Sequence, residues 1–252
     1  MEPGLPGTVV AGVPAVRVLL AALTGMGNAV LPHLAASPLV DALVVVTRSE
    51  PGPFPYYPCP PFSQACREAG VDCRVDVDMD APAGLELAQA FAPDLLLTAT
   101  YHRIVPQAVL DCARFAVNIH PSLLPAYKGP TPTNWAVAFG EAESGVSFHL
   151  LAAEIDSGSL LMQYRVAIAG MTDGEVRQEL YALAGRHTES LLDALTKGDP
   201  EPLPETGVGS TQPRFASERG VQLLQAGGFS RQNLQRAATP YPGTQFLASN
   251  GL

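Results

Sequence analysis

Val16-Arg17-Val18-Leu19-Leu20-Ala21-Ala22, then Leu23-Thr24-Gly25-Met26-Gly27-Asn28, then Asp41-Ala42-Leu43-Val44-Val45-Val46-Thr47 is the stretch that decides the fold. The first and last runs are short and almost wholly apolar. Such runs, without polar alternation, read as strands buried on both faces. The glycine-bearing turn leads into a helical stretch ending near Ala36. Strand, helix and strand in that order form a parallel unit, because the helix carries the chain back across the sheet.

The pattern repeats downstream. Cys66 to Gly70 reads as a helix end, Val71 to Val77 as a third strand and Gly84 to Phe91 as a helix. Asp94 to Thr98 (DLLLT) and Phe115 to Ile119 (FAVNI) read as the fourth and fifth strands. The fold class expected is α/β, a doubly wound, mostly parallel, Rossmann-like sheet. Ligands of such sheets bind beyond the carboxyl ends of the strands. After Gly129, Pro132 to Phe139 reads as a helix with Thr131 as its cap. Gly145 to Leu151 and Ser159 to Ile168 read as a hairpin around a long functional loop. Asp173 to Leu195 is the strongest helix, and Ser230 to Ala238 a short one. The organisation expected is a flexible tail over 1–15, a catalytic domain over 16–200 and a short C-terminal extension over 201–252.

A chain of 252 residues, 47% of them hydrophobic, can bury a sizeable core. It has no apolar run long enough to span a bilayer, and its first fifteen residues lack the basic start and compact apolar centre of a secretory signal. The formal net charge of −9 argues against a broad nucleic-acid surface, which needs clustered Lys and Arg. Cys59, Cys66, Cys73 and Cys112 form no Cys-x-x-Cys pair and are not interleaved with histidines at zinc-site spacing. Reduced thiols in a cytoplasmic protein are expected, without a metal.

The chemistry is concentrated in Asn118-Ile119-His120-Pro121-Ser122-Leu123-Leu124-Pro125-Ala126-Tyr127-Lys128-Gly129, followed by His149 and Asp156-Ser157-Gly158. Alternate residues of a strand share a face, so Asn118 and His120 aim at one point. Each alone would be an ordinary strand-end or core polar residue. Asp156 alone would be a turn residue. Together they supply what acyl transfer to an amine requires. An amide and an imidazole can hold an oxyanion, and an imidazole with a carboxylate can manage the amine's protons.

Three other features stay open on the sequence alone. Leu23 to Asn28 lacks both the Gly-x-Gly-x-x-Gly run and the Walker ending; it is either a tight turn or a phosphate site at a helix start. The proline-rich Pro51 to Pro61 segment cannot continue a helix or a central strand. It is either a connector or a pocket wall bearing Tyr56 or Tyr57. Tyr241 is either a packing aromatic or an acceptor contact.

Asn118 to Pro125, Lys128-Gly129, Gly145-Val146-Ser147-Phe148-His149 and Ile155-Asp156-Ser157-Gly158 resemble the folate-dependent formyltransferases. That family includes glycinamide ribonucleotide transformylases, methionyl-tRNA formyltransferases and sugar-nucleotide N-formyltransferases. The resemblance covers roughly Val16 to Ile168. It implies Asn118, His120 and Asp156 as the catalytic trio and N10-formyltetrahydrofolate as the formyl donor. It implies folate contacts at Tyr101, Arg103, Ile104 and Val105 and at Ala152, Ala153, Glu154 and Ile155, partly through backbone. Ser147 and His149 match positions that support the catalytic carboxylate. Asn134, Trp135 and Tyr241, with Pro242-Gly243, resemble runs of the sugar enzymes and imply acceptor contacts. The chain runs nine residues past Gly243 (252 minus 243), so the C-terminal domain of the methionyl-tRNA enzymes is not expected. The partner expected is a small-molecule amine, either an amino sugar nucleotide or a secondary-metabolite amine, with no nucleic acid and no membrane; a homodimer is compatible. The alternatives are glycinamide ribonucleotide as acceptor, or a non-catalytic folate-binding or carrier-linked module.

Overall fold

Every apolar run named above becomes a strand of one seven-stranded sheet in the computed structural model, which describes residues 15–49 and 55–252. The expected tail over 1–15 lies almost wholly outside the described residues. The strands are β1 (Val16–Ala22), β2 (Val40–Thr47), β3 (Asp72–Val75), β4 (Leu95–Ala99), β5 (Phe115–His120), β6 (Glu143–Leu150) and β7 (Leu160–Ala167). Their order is β3-β2-β1-β4-β5-β6-β7. The first five pair in parallel, and β6 runs antiparallel to both its neighbours. The helices are α1 (Met26–Ala36), α2 (Phe62–Glu68), α3 (Pro82–Phe91), α4 (Gln107–Leu110), α5 (Pro132–Phe139), α6 (Asp173–Thr196), α7 (Glu218–Ala226), α8 (Arg231–Ala237) and α9 (Thr244–Ser249). Among the described residues no helix is long and apolar enough to cross a membrane.

Alternate residues of each central strand enter different cores, as two-sided burial requires. Val18 and Leu20 of β1 join the larger cluster with α1, α5 and α6, while Leu19 and Ala21 join the smaller one with α3 and α4. The third strand is shorter than expected. Asp76 takes a left-handed φ of 60°, and its carboxylate accepts from the Ser49 N–H (2.7 Å) and hydroxyl (2.8 Å), which ends the strand. Helix α3 starts two residues early because Pro82 fits a first turn, where its missing N–H has no intrahelical partner to lose. Helix α6 starts on a capping box in which Thr172 and Glu175 satisfy each other's backbone N–H groups.

The C-terminal extension is more helical than the sequence suggested, with α7 and α9 beside the expected α8. Phe215, Leu224, Leu234, Ala237 and Leu247 are buried in the larger core cluster. The segment before α7 also pairs with the loop after β5. Lys128 and Thr211 form a parallel bridge, and Trp135 Nε1 donates to the Pro213 carbonyl (2.7 Å).

Candidate active site

Residues 118 to 131 leave the carboxyl end of β5 and turn back into α5. Antiparallel pairing sets Asn118 opposite His149 and His120 opposite Ser147. Directly opposed residues share a face and lie close enough to bond. Asn118 Nδ2 therefore reaches His149 Nε2 (3.0 Å). In the parallel neighbour β4, Thr98 is the partner of Asn118, and its hydroxyl donates to Asn118 Oδ1 (2.7 Å). The amide is thus held from both ends, and its orientation is set.

Both imidazoles have one nitrogen committed to a backbone carbonyl. His120 Nε2 lies 2.9 Å from the Tyr127 oxygen and His149 Nδ1 lies 2.8 Å from the Leu150 oxygen. A carbonyl only accepts, so these nitrogens carry the protons of the neutral rings. The bare nitrogens face Asp156, with His120 Nδ1 3.5 Å from Oδ2 and His149 Nε2 3.6 Å from Oδ1. The His149 Nε2 lone pair accepts from the Asn118 amide, so the free lone pair in this buried space is that of His120 Nδ1, beside the Asp156 carboxylate. A neutral imidazole beside an ionised carboxylate can take the proton that an attacking amine must lose.

Asp156 reaches this point in a left-handed conformation, φ 53°, which Asp tolerates better than most residues. Gly158 makes the approach possible: a Cβ there would stand 1.8 Å from the Leu150 oxygen. The Gly129 N–H donates to Asp156 Oδ2 (2.8 Å). Burial opposes ionisation of Asp156, but His149, His120 and the Gly129 amide outweigh it and hold the carboxyl below its usual range. Burial pushes the His120 imidazole below its usual value, with Asp156 only partly offsetting the effect.

Both segments implied for folate adjoin the smaller core. Tyr101, Val105 and Leu151 belong to the smaller core, and the Tyr101 hydroxyl accepts from the Met79 N–H (2.9 Å). Arg103 pairs with Asp78 (2.9 Å) and Asp80 (3.0 Å) at the surface. Ala152, Ala153 and Glu154 are exposed. Ile104 is 71% exposed and Ile155 63%.

Two sequence expectations are revised by the geometry. Ser147 does not touch Asp156. Its hydroxyl donates to the Ser122 carbonyl (2.7 Å) and accepts from the Leu124 N–H (3.1 Å), so it braces the loop instead. Asn134 and Trp135 are 1% and 0% exposed, so neither offers an atom to an incoming acceptor. Asn134 Nδ2 donates to the carbonyls of Ala237 (2.7 Å) and Tyr241 (3.2 Å), and its Oδ1 accepts from Arg177 (2.8 Å). Tyr241 itself is 41% exposed and stacks face to face on Tyr56, with centroids 4.4 Å apart. Tyr56 of the proline-rich segment thereby meets the extension. In the Leu23–Asn28 turn, Asn28 Oδ1 accepts from the Gly25 N–H (2.8 Å) and Nδ2 donates to the Pro60 carbonyl (3.1 Å). The turn's polar groups bind the protein itself. A cavity of about 450 Å³ lies between α7, α8 and the C-terminus and shares no residue with the cluster at Asn118.

The sequence reading missed Thr98, the Tyr127 carbonyl and the Gly129 amide. Only Thr98 had a signal: it sits one strand over from Asn118 in a parallel sheet, at the same carboxyl edge.

Residues 63–188, which include Asn118, His120 and Asp156, match the family described as formyl transferase. The methionyl-tRNA formyltransferase of Myxococcus xanthus (strain DK1622) is 30% identical over 210 residues, covering 81% of this chain and 67% of the relative. Glycinamide ribonucleotide transformylase 1 from Symbiobacterium toebii superposes with a TM-score of 0.61 at 23% identity, covering 76% of this chain and 92% of its own. WlaRD, a sugar 3N-formyl transferase solved in the presence of dTDP and 5-N-formyl-THF, superposes with a TM-score of 0.65 at 16% identity, covering 88% of this chain and 78% of its own. At those identities the two structures are likenesses of fold.

Proposed function

The chain belongs to the formyl transferase family, and from that premise we propose that it moves a formyl group from N10-formyltetrahydrofolate to the amine of a small acceptor, an amino sugar nucleotide or a secondary-metabolite amine. One observation carries the chemistry: Asn118, His120 and Asp156 converge at the carboxyl end of β5. The folate supplies an activated formyl carbon. Tyr101 to Val105 and Ala152 to Ile155 would hold it, with Ile104 and Ile155 covered by its rings.

The acceptor's neutral amine forms the new N–C bond, and the formyl oxygen becomes an oxyanion. One N–H of the Asn118 amide is committed to His149; the other is the donor for that oxyanion. The amine's surplus proton goes to His120 Nδ1, where ionised Asp156 stabilises the imidazolium. The charged ring then returns the proton to the departing N10 as the C–N10 bond breaks. His120 serves here as proton carrier first, and its Nδ1–H adds to the oxyanion's support only once charged. That differs from a simple donor role, because its Nε2–H is spent on Tyr127.

Support for a small acceptor comes from the net charge of −9 and from the exposed face of Tyr241, on which a planar base could stack. Glycinamide ribonucleotide is a weaker reading, since the Gly25–Asn28 turn satisfies its own polar groups. A methionyl-tRNA acceptor is favoured by the name of the Myxococcus xanthus relative. A non-catalytic module is disfavoured by the complete trio. Mass spectrometry on protein, formyl donor and a panel containing amino sugar nucleotides, glycinamide ribonucleotide and methionyl-tRNA tests these readings. A gain of one formyl group on an amino sugar nucleotide is expected. Efficient transfer only to methionyl-tRNA, with affinity falling steeply with salt as many phosphate contacts require, would overturn the acceptor.

The depressed His120 pKa gives a signed expectation. The ring should stay neutral as pH falls through about 6.5, the ordinary histidine value, and protonate only below it. Because the unfolded ring binds the proton first, its stabilising contribution is complete above the unfolded value. It is lost as pH drops toward the folded one. An NMR titration of the His120 ring checks this, and a midpoint at or above 7 would show that burial does not depress the ring. Carriage in the cytoplasm completes the reading.

A further inference from the structure

We propose that the strand-like segment around Ser210 positions the catalytic imidazole, by fixing the Tyr127 peptide that determines where the His120 proton resides. The inference rests on the acyl-transfer reading only for the imidazole's importance, and the contact itself is independent of it. Ser210 lies 83 residues downstream of Tyr127, yet its hydroxyl accepts from the Tyr127 N–H (2.9 Å). Its own N–H donates to the Pro125 carbonyl (3.1 Å), and its carbonyl accepts from the Lys128 N–H (2.8 Å). The Gln212 N–H donates to the Lys128 carbonyl (2.9 Å). Pro125, Tyr127 and Lys128 of the catalytic loop are therefore zipped to the extension on one side.

The physical need for this zipper is local. Tyr127 has a φ of 59°, a left-handed conformation that is strained for a bulky residue and persists only when its surroundings enforce it. The Ser210 hydroxyl holds the Ala126–Tyr127 peptide, and the Ser210 carbonyl, through the Lys128 N–H, holds the Tyr127–Lys128 peptide whose oxygen faces His120. Loss of the hydroxyl contact lets Tyr127 relax its φ and turns that oxygen away from Nε2. The ring would then lose the acceptor that keeps the proton on Nε2. Its tautomer would drift toward Nδ1–H, drawn by the Asp156 carboxylate 3.5 Å away. With Nδ1 protonated the ring cannot receive the amine's proton. Ser210 thus acts through Tyr127 on the protonation pattern of His120 and is a positioning residue. Gly129, in the same loop, marks how close the segment lies. A Cβ there would meet the Gln212 oxygen at 2.4 Å.

The test uses the full chain with 15N-labelled histidine, wild type beside Ser210→Ala and Ser210→Thr. In wild type the His120 signals should show a proton on Nε2. Ser210→Ala should shift the ring toward the Nδ1–H tautomer and lower kcat about 3- to 10-fold, the scale of one net hydrogen bond. KM for the formyl donor should change little. Ser210→Thr, which keeps the oxygen, should restore both readouts. If Ser210→Ala fails to fold, Ser210→Cys, a weaker acceptor, replaces it with the same expectations. Unchanged His120 signals in a folded Ser210→Ala or Ser210→Cys protein would overturn the proposal, as would an Nδ1–H tautomer in wild type. A shifted tautomer without formyl transfer to any amine would support the positioning role and defeat the acyl-transfer reading instead.

Discussion

Asn118→Ala, His120→Ala and Asp156→Ala should each lower turnover about 100- to 1000-fold, the range seen when one oxyanion donor is removed, while the protein stays folded. The three groups act on one transition state. Asn118 loses the oxyanion's hydrogen bond, His120 the proton carrier, and Asp156 the charge that makes the carrier's protonated form affordable in a buried space. Their effects should therefore not multiply. Once one is gone the remaining two hold a geometry that no longer matches the reaction, and the triple variant should be about as slow as the worst single one. Single-turnover kinetics with each variant, alongside circular dichroism for folding, measures this. Asp156→Ala turning over near the wild-type rate would remove the carboxylate from the mechanism.

The largest effect on stability is expected at Asp173, remote from the trio. Its carboxylate is wholly buried at the start of α6. It accepts from Arg177 Nε (2.7 Å) and from the Thr133 hydroxyl (2.6 Å). Arg177 is buried too, and its guanidinium also reaches Asn134, which holds the carbonyls of Ala237 and Tyr241. One carboxylate thus joins α5, α6 and the extension. Removing it in Asp173→Ala leaves the Arg177 charge buried and uncompensated, which costs about 3–5 kcal/mol. Replacing both partners in Asp173→Ala/Arg177→Leu should be less destabilising than Asp173→Ala alone, because no bare charge remains. Urea unfolding of the three proteins measures it. A single variant within about 1 kcal/mol of wild type would show that the network is not what holds the extension; that is well below the cost of breaking a buried pair.

Much of the fold was legible because it rests on runs of one residue class. β1, β2 and β4 are mostly apolar, with Arg17, Asp41, Thr47 and Thr98 the exceptions, and short runs of this kind read as strands buried on both faces. β3 was overextended in the reading because Asp76 looks like any polar strand residue. Only its bonds to Ser49 show that the chain turns there. Helices α7 and α9 were missed because they are short and hold few apolar residues, so their order depends on packing against the larger core. Asn134 and Trp135 were read as acceptor contacts from their company in a motif. Their partners, the carbonyls of Ala237, Tyr241 and Pro213, lie far along the chain.

By itself the sequence determined the alternation of strand and helix and the carboxyl-edge position of Asn118 and His120, while the place of Asp156 beside them was what the resemblance implied. The first two follow from residue type and spacing, through the two-residue period of a strand and the burial of apolar runs. Tertiary structure alone decided which nitrogen of each histidine carries its proton, how Thr98 orients the Asn118 amide, and how the Ser210 segment holds the Tyr127 peptide. Those contacts depend on backbone groups that every residue possesses, brought together across up to 83 positions. A backbone carbonyl leaves no mark on the identity of the residue that bears it, so no reading of side chains could have placed it.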